Sequence, residues 1–416
     1  MSERLQVPRG TYDVLPEEAD ARAALEATAR RILEGAGYRR IETPTFEYTE
    51  VFSRGVGAST DIVQKEMYTF DDGGGRSVTL RPEGTAPICR AYVEHGMHKL
   101  PQPVKLWYLS SFFRSEKPQQ GRFRQFWQVG AEAIGSDDPA VDAELIVLLA
   151  TLLSELEVGR VRLRVSSLGT PAARRAYRDR LQAHLHANAD RLSEDVRDRI
   201  ELNPLRAFDS DHPGTRAVMA DAPLLLEHLD RDDAEHFACV RELLDRAGVD
   251  YEVDPTLVRG LDYYTRTVFE FTSDALGAQS GVAGGGRYDG LVELLGGPPA
   301  TGCGWAAGIE RILLASPGVP AAAPPVDLYV AFDSPALRPA AFAVADEARR
   351  ARLNVQVELA GRSRKGQLKH ADRLGARYVA LVGDAATVLK AMEGGEQLEL
   401  PTDGVVARIL RERGMR

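Results

Sequence analysis

Cysteine is scarce. The 416 residues contain three, Cys89, Cys239 and Cys303, widely separated and never as a CxxC pair. This argues against a disulfide framework or a thiolate zinc site and fits a reducing cytoplasm. Long apolar runs are also missing, with nothing near the ~18 residues of a membrane span. The N-terminus, MSERLQVPRG, lacks the apolar core of an export signal, so no membrane partner is expected. His95 and His98 have the spacing of a metal pair but no third ligand nearby, so no protein metal site is expected. Phosphate loops are absent too: GxxxxGKS/T does not occur, and no GxGxxG stands in a useful place after a strand. Positive charge is not in excess. A net charge of −9 argues against indiscriminate nucleic-acid binding, so an RNA partner would have to meet a local basic patch.

What is present is an ordinary globular composition, 44% hydrophobic and 27% charged, over a length that suits two or three domains. The most informative stretch is 105–135, KLWYLSSFFRSEKPQQGRFRQFWQVGAEAIG. Two β-rich segments flank a polar loop at Pro118, Gln119, Gln120 and Gly121, which predicts an antiparallel hairpin with a long tip. Alternation puts Phe126, Gln128, Gly130 and Glu132 on one face, and Gln125, Trp127, Val129 and Ala131 on the other. Arg114 and Glu116 lead into the loop, and Arg122 and Arg124 lead out. A guanidinium grips phosphate in a bidentate fork and a ring stacks under a base, so the first face suits a nucleotide. The other reading is a surface hairpin whose charges are merely solvated.

Along the chain, Pro16, Glu17 and Glu18 start a helix whose apolar positions are Leu25, Ala29, Ile32, Leu33 and Ala36. A strand over 38–48, broken at Pro44, belongs at a border or an interface. Residues 65–95 read as strand, Gly-rich turn, strand and a helix entered through Pro82, Glu83, Gly84 and Thr85. Asp138 and Pro139 open a helix with Val141, Leu145, Leu148, Leu149, Leu152, Leu153 and Leu156 inward. Residues 170–250 read as a charged helical insertion. Then LVRGLDYYTRTVFEF predicts a strand carrying Arg259, Tyr263, Tyr264 and Arg266. GVAGGGRYDGLVELLGG puts Arg287, Tyr288 and Asp289 on a glycine loop, and TGCGWAAGIERILL runs from a small-residue strand into a helix with Glu310 and Arg311. A Pro/Ala-rich linker over 316–326 separates a first domain, 1–325, from a second, 327–416. Strands alternate with helices in the second domain, which predicts a small α/β fold. Its 361–377 segment sets Arg362, Arg364, Lys365, Lys369, Arg373 and Arg377 against Asp372, a positive patch suited to RNA.

Arg114, Arg259 and Arg311 come from separate segments, and their convergence would match a triphosphate. Glu83 and Thr85 could catch a cationic amine or simply cap a helix start. Tyr264 and Tyr288 could be pocket donors or core aromatics.

LRPEGT, FRSEKPQQGRFRQFWQVGAE, LVRGLDYYTRTVFEF and GGRYDGL together resemble the histidyl-tRNA synthetase family, a class II aminoacyl-tRNA synthetase family, over the whole chain. The resemblance implies an α+β fold: an antiparallel-sheet class II catalytic domain with a helical insertion, plus a C-terminal α/β anticodon-binding domain. It implies a homodimer that charges tRNA(His) with L-histidine, using ATP accompanied by Mg2+. Carried over position by position, Arg114 would bind the α-phosphate and the histidine carboxylate, and Arg259 would neutralise charge at the α-phosphate. Glu116, Arg122, Phe126 and Arg311 would hold ATP. Glu83, Thr85 and Gln128 would receive the α-amino group, while Glu132, Tyr263, Tyr264 and Tyr288 would form the imidazole pocket. Lys117 and Gln119 would face the tRNA acceptor end, and Arg362, Arg364, Lys365 and Lys369 the rest of the tRNA. Departures are mild: Ser115 and Lys117 flank Glu116, and Trp127 stands where histidine is common. The rival is the synthetase-like, catalytically inert regulatory subunit of ATP phosphoribosyltransferase, which lacks the C-terminal domain and several ATP-gripping positions.

Overall fold

The computed structural model describes residues 4–57, 60–258, 260–277, 280–316 and 325–414. The chain divides into two compact units, 1–320 and 321–416.

An eight-stranded sheet organises the first unit. Five of its strands matter most: β1 (Val104–Phe113), β2 (Gln125–Ile134), β3 (Thr265–Ser273), β4 (Gly281–Arg287) and β5 (Gly302–Gly308). They lie in the order β1, β2, β5, β4, β3, each antiparallel to the next. Val161–Ser167 extends the sheet beyond β3, and two-residue strands at Arg39–Arg40 and Glu252–Val253 join the borders in parallel. The expected hairpin is therefore the β1–β2 pair, with Phe112 opposite Phe126, Tyr108 opposite Gly130 and Leu106 opposite Glu132.

The two faces divide as alternation requires. Val129, Ala131 and Ala133 pack with helix α1 (Pro16–Gly35), through Leu25, Ala29 and Leu33, and with a long helix through Leu145, Leu149 and Leu152. Each fully buried leucine contributes about 1.5–3 kcal/mol. Helix α2 (Thr85–Glu94) belongs to the core on the other side, with Ile88, Cys89 and Tyr92. The long helix is α3 (Pro139–Glu155), opened by Asp138, whose carboxylate accepts from the Ala140 amide at 2.8 Å. Its apolar stripe is as expected except that Leu148 is only partly buried and Asp142 is fully buried. The exception has a cause: Asp142 pairs with Arg287 at 2.7 Å, neither side chain exposed to water. His236 and Thr267 complete the network at 2.7 and 2.8 Å.

Residues 171–246 are mainly helical, with α4 (Pro171–Ala187) and α5 (Arg231–Arg246) the longest elements. Three expectations need correction. Arg287 ends strand β4, paired with Cys303, rather than standing on a glycine loop. Tyr263 and Tyr264 precede β3 rather than belong to it, because Arg266 is left-handed (φ +43°) and the register slips between Gly286 and Arg287. The 38–48 strand is two short strands in different sheets. Arg39–Arg40 sits at the large sheet's border, while Phe46–Tyr48 joins Tyr68–Asp71 and Ser77–Leu80 in a three-stranded antiparallel sheet.

In the second unit, Val355–Val357, Leu328–Phe332 and Tyr378–Val382 are parallel, and Thr387–Ala391 and Gln397–Leu400 follow antiparallel. Leu328, Val330, Val344 and Ile409 anchor the core. Helix α7 (Arg364–Arg373) and its flanks present Arg362, Arg364, Lys365, Lys369, Arg373 and Arg377 as exposed side chains. Before it, α6 (Ile309–Ala315) closes the first unit; most of the expected linker, 317–324, lies outside the described residues.

Candidate active site

A cleft of about 390 Å3 opens over the centre of the large sheet. Glycine makes the room. A Cβ at Gly130 would lie 2.3 Å from the Tyr108 ring, and one at Gly304 would lie 1.7 Å from Glu132 Oε2. Real atoms do not approach so closely, so these positions hold glycine because Tyr108 and Glu132 occupy the space above them.

The inner end of the cleft is polar and dry. Glu132 has no exposed surface, and its carboxylate accepts from Thr85 Oγ1 at 2.8 Å and Tyr288 Oη at 2.7 Å. Burial outweighs both hydrogen bonds and pushes its pKa up to about 8. Glu83 accepts from the amides of Thr85 (2.8 Å) and Ala86 (3.0 Å) and from Tyr263 Oη (3.4 Å), and burial raises its pKa. Its carboxylate thus caps the start of α2 while lining the cleft, so the two readings of this turn coexist. Tyr263 contacts both Tyr264 and Tyr288, with ring centroids 4.8 and 5.9 Å apart. Gln128 Oε1 and Tyr108 Oη are buried here without a hydrogen-bond partner among the described residues. Orphaned polar atoms in a cleft want a ligand.

The outer end is cationic. Arg114 donates to the Pro82 carbonyl at 2.9 Å, and its guanidinium lies 5.3 Å from the Phe126 ring centroid. Arg311 donates to the carbonyls of Gly121 and Gly281. Burial and then the neighbouring Arg122 push its pKa down. Arg122 has Glu116 at 3.4 Å. Arg114, Arg122 and Arg311 share one cleft with the carboxylates of Glu66, Glu116 and Glu270, and Arg122 and Arg114 oppose the charge on Arg311 while Glu116 and Glu270 favour it.

Alternation holds on the reverse side, where Trp127 faces away from the cleft under the Arg22 guanidinium, 4.4 Å from its ring centroid. Glu310 accepts from the Trp127 amide (3.0 Å), from Tyr12 Oη (2.7 Å) and from Arg22 (3.0 Å). It fixes β2 against the helix that bears Arg311.

The family profile described as Histidyl-tRNA synthetase matches residues 10–312. A histidine--tRNA ligase of Halorhodospira halophila is 51% identical over 412 residues, covering 97% of this chain and 97% of its own. One from Pelotomaculum thermopropionicum is 45% identical, covering 98% of this chain and 97% of its own. The crystal structure of apo S. aureus histidyl-tRNA synthetase superposes with a TM-score of 0.81 at 33% identity, covering 98% of this chain and all of that one.

The chain belongs to the histidyl-tRNA synthetase family. As a member it is an aminoacyl-tRNA ligase with a class II α+β fold. The inert regulatory-subunit reading is not favoured, since the near relatives are ligases over almost their whole length.

Within this synthetase fold, the cleft brings together Glu83, Thr85, Arg114, Glu116, Arg122, Phe126, Gln128, Tyr263, Tyr264, Tyr288 and Arg311, with Glu132 at its floor. Arg259 lies outside the described residues. Lys117 and Gln119 are exposed on the hairpin tip and do not line the cleft. Arg362, Arg364, Lys365 and Lys369 belong to the second unit. Among the described residues, no group of three or more His, Cys, Asp or Glu side chains is placed to hold a metal. Sequence reasoning passed over Tyr108, Glu66, Arg206 and Glu270, all lining the cleft. Tyr108 had a signal: it stands opposite Gly130 once the hairpin register is drawn.

Proposed function

We propose that the chain activates L-histidine with ATP to histidyl-adenylate and transfers it to the 3′ end of tRNA(His). The carrying observation is one cleft lined by Arg114, Arg122 and Arg311 and, at Thr85 and Tyr288, by two hydroxyls that donate to the dry carboxylate of Glu132 behind them. Glu132 and Tyr264 read the imidazole, with Tyr288 and Tyr263 closing around it. Glu83, Thr85 and Gln128 receive the α-amino group, and the orphaned Gln128 Oε1 supports that assignment. Adenine stacks on Phe126 beside Glu116, Arg114 bridges the carboxylate and α-phosphate, and Arg122 and Arg311 hold the outer phosphates.

The histidine carboxylate attacks the α-phosphorus in line and pyrophosphate leaves. The ribose hydroxyl of tRNA then displaces AMP from the mixed anhydride. The protein supplies position and charge rather than a covalent partner. Arg259 neutralises charge developing at the α-phosphate. Glu116 and Glu270, which line the cleft, would hold a magnesium ion accompanying the nucleotide, and its charge would offset that of the phosphates.

Residues 1–325 form the catalytic domain, and 327–416 bind the anticodon side of the tRNA through Arg362, Arg364, Lys365 and Lys369. Lys117 and Gln119 meet the acceptor end. The enzyme works in the cytoplasm as a homodimer; Phe46, Tyr48 and Phe70, 52%, 49% and 46% exposed on the small sheet, support a covered face there. Histidine-dependent ATP–pyrophosphate exchange tests the reading. Arg259→Ala is expected to slow adenylation by about 10²–10³ while histidine binding persists; an unchanged rate removes Arg259 from its role.

A further inference from the structure

Beside the cleft lies a second cavity of about 330 Å3, lined by the start of α4, by residues 202–206 and by Val258, Leu261 and Asp262. That size falls at the low end for small-molecule sites. Its charged lining is Arg174, Arg175, Arg178 and Arg206 against a single acid, Asp262. Three of these arginines stand in the first turns of α4, whose first turn holds no acidic residue. The N-terminus is the positive end of a helix dipole, where cations repel the backbone as well as each other.

Two of these arginines have employment. Arg178 donates to the carbonyls of Glu201 and Leu202, and Arg206 has Asp61 at 3.6 Å. The Arg174 guanidinium has neither a hydrogen bond nor an ion pair with any described residue. Burial lowers its pKa, opposed by Asp262. A desolvated, unpaired cation is costly. Leu168, Leu205, Val258 and Leu261 add apolar walls, so the cavity offers a cationic end and a greasy side.

We propose that this cavity is a second ligand site, which takes a phosphate monoester on a nucleotide-sized body and seats the phosphate on Arg174 and Arg175. The phosphate could be carried by a free nucleotide or by the end of an RNA, and the probes separate these sources. The chain from Asp262 runs directly into Tyr263 and Tyr264, so occupancy acts on the wall of the first cleft.

Calorimetry on the full chain, with the cleft filled by histidine and a non-hydrolysable ATP analogue, tests the proposal. The probes are uridine 5′-monophosphate, a 5′-phosphorylated RNA trinucleotide and its 5′-hydroxyl counterpart. A phosphorylated probe is expected to bind and the hydroxyl trinucleotide not. Arg174→Gln should weaken that binding at least ~10-fold, as loss of a charge-assisted fork implies, with pyrophosphate exchange within about twofold of the parent. Binding of the mononucleotide alone assigns the site to a small metabolite; binding of the trinucleotide alone assigns it to an RNA end. Should Arg174→Gln not fold, the exposed Arg175→Gln carries the same test. Failure of both phosphorylated probes to bind, or undiminished binding by the variant, overturns the proposal.

Discussion

Two buried glutamates in different units have opposite fates. Glu132, on the cleft floor, accepts two hydroxyl hydrogen bonds, and burial pushes its pKa up to about 8. Glu358, in the second unit, is equally removed from water at 1% exposure. It accepts from Tyr329 Oη (2.6 Å), from the amides of Ala360 (2.6 Å) and Arg362 (3.2 Å), and from the Arg362 guanidinium (3.2 Å). Burial opposes its charge, yet these donors prevail and hold its pKa at about 2. Glu358 is complete within the protein. Glu132 is short of donors, and a bound ligand with a polar hydrogen would complete it.

The sharpest way to break this contrast is to truncate both. Glu132→Ala should lower kcat/KM for histidine in pyrophosphate exchange by about 10³–10⁴, because the pocket loses the acceptor its donors surround. Glu358→Ala should leave exchange within about twofold while lowering unfolding stability by about 2–4 kcal/mol in urea titration. Equal kinetic losses would erase the distinction.

Arginines sharpen the same point. Arg287→Met leaves Asp142 buried without its cation, and about 3–5 kcal/mol of stability should go. Arg311→Ala should instead cost about 10²–10³ in kcat/KM for ATP with little change in unfolding midpoint. Swapped outcomes would mean the cleft is misassigned.

Smallest is the effect of pH. Glu132 binds its proton more tightly folded than unfolded, where 4.5 is the ordinary value. The stability tied to its neutral form is therefore full below about 4.5 and lost as pH climbs to about 8. Glu358 has the reverse sign: its contribution is full above about 4.5 and lost as pH falls to about 2. Ionised Glu132 is the better acceptor for imidazole, so kcat/KM for histidine should rise toward pH 8 and then level. Free histidine titrates near 6.5, so the limb above about 7 belongs to Glu132, and Glu132→Gln should flatten it. A limb that survives that substitution assigns it elsewhere.

Much of this was legible beforehand. Period-two alternation placed Phe126, Gln128 and Glu132 on the cleft side and sent Trp127 beneath, because a strand leaves a side chain no third direction. Helix starts at Pro16 and Asp138 followed from local chemistry. Asp142 was illegible because its burial depends on Arg287, a residue from another strand. Tyr108 was passed over because a tyrosine amid apolar neighbours looks like core until the strand opposite proves to be glycine.

By itself the chain's order of residues determined its family, the alternation of its strands and the caps of its helices, since each rests on neighbours in sequence. Which arginine becomes a buried strut and which lines an open cleft was decided only in three dimensions. Arg287 and Arg311 are the same side chain on glycine-flanked segments. One meets Asp142 in the dry interior and the other meets two carbonyls and further arginines at a cleft. Electrostatic work depends on distance through space and on access to water, and neither is written along the chain.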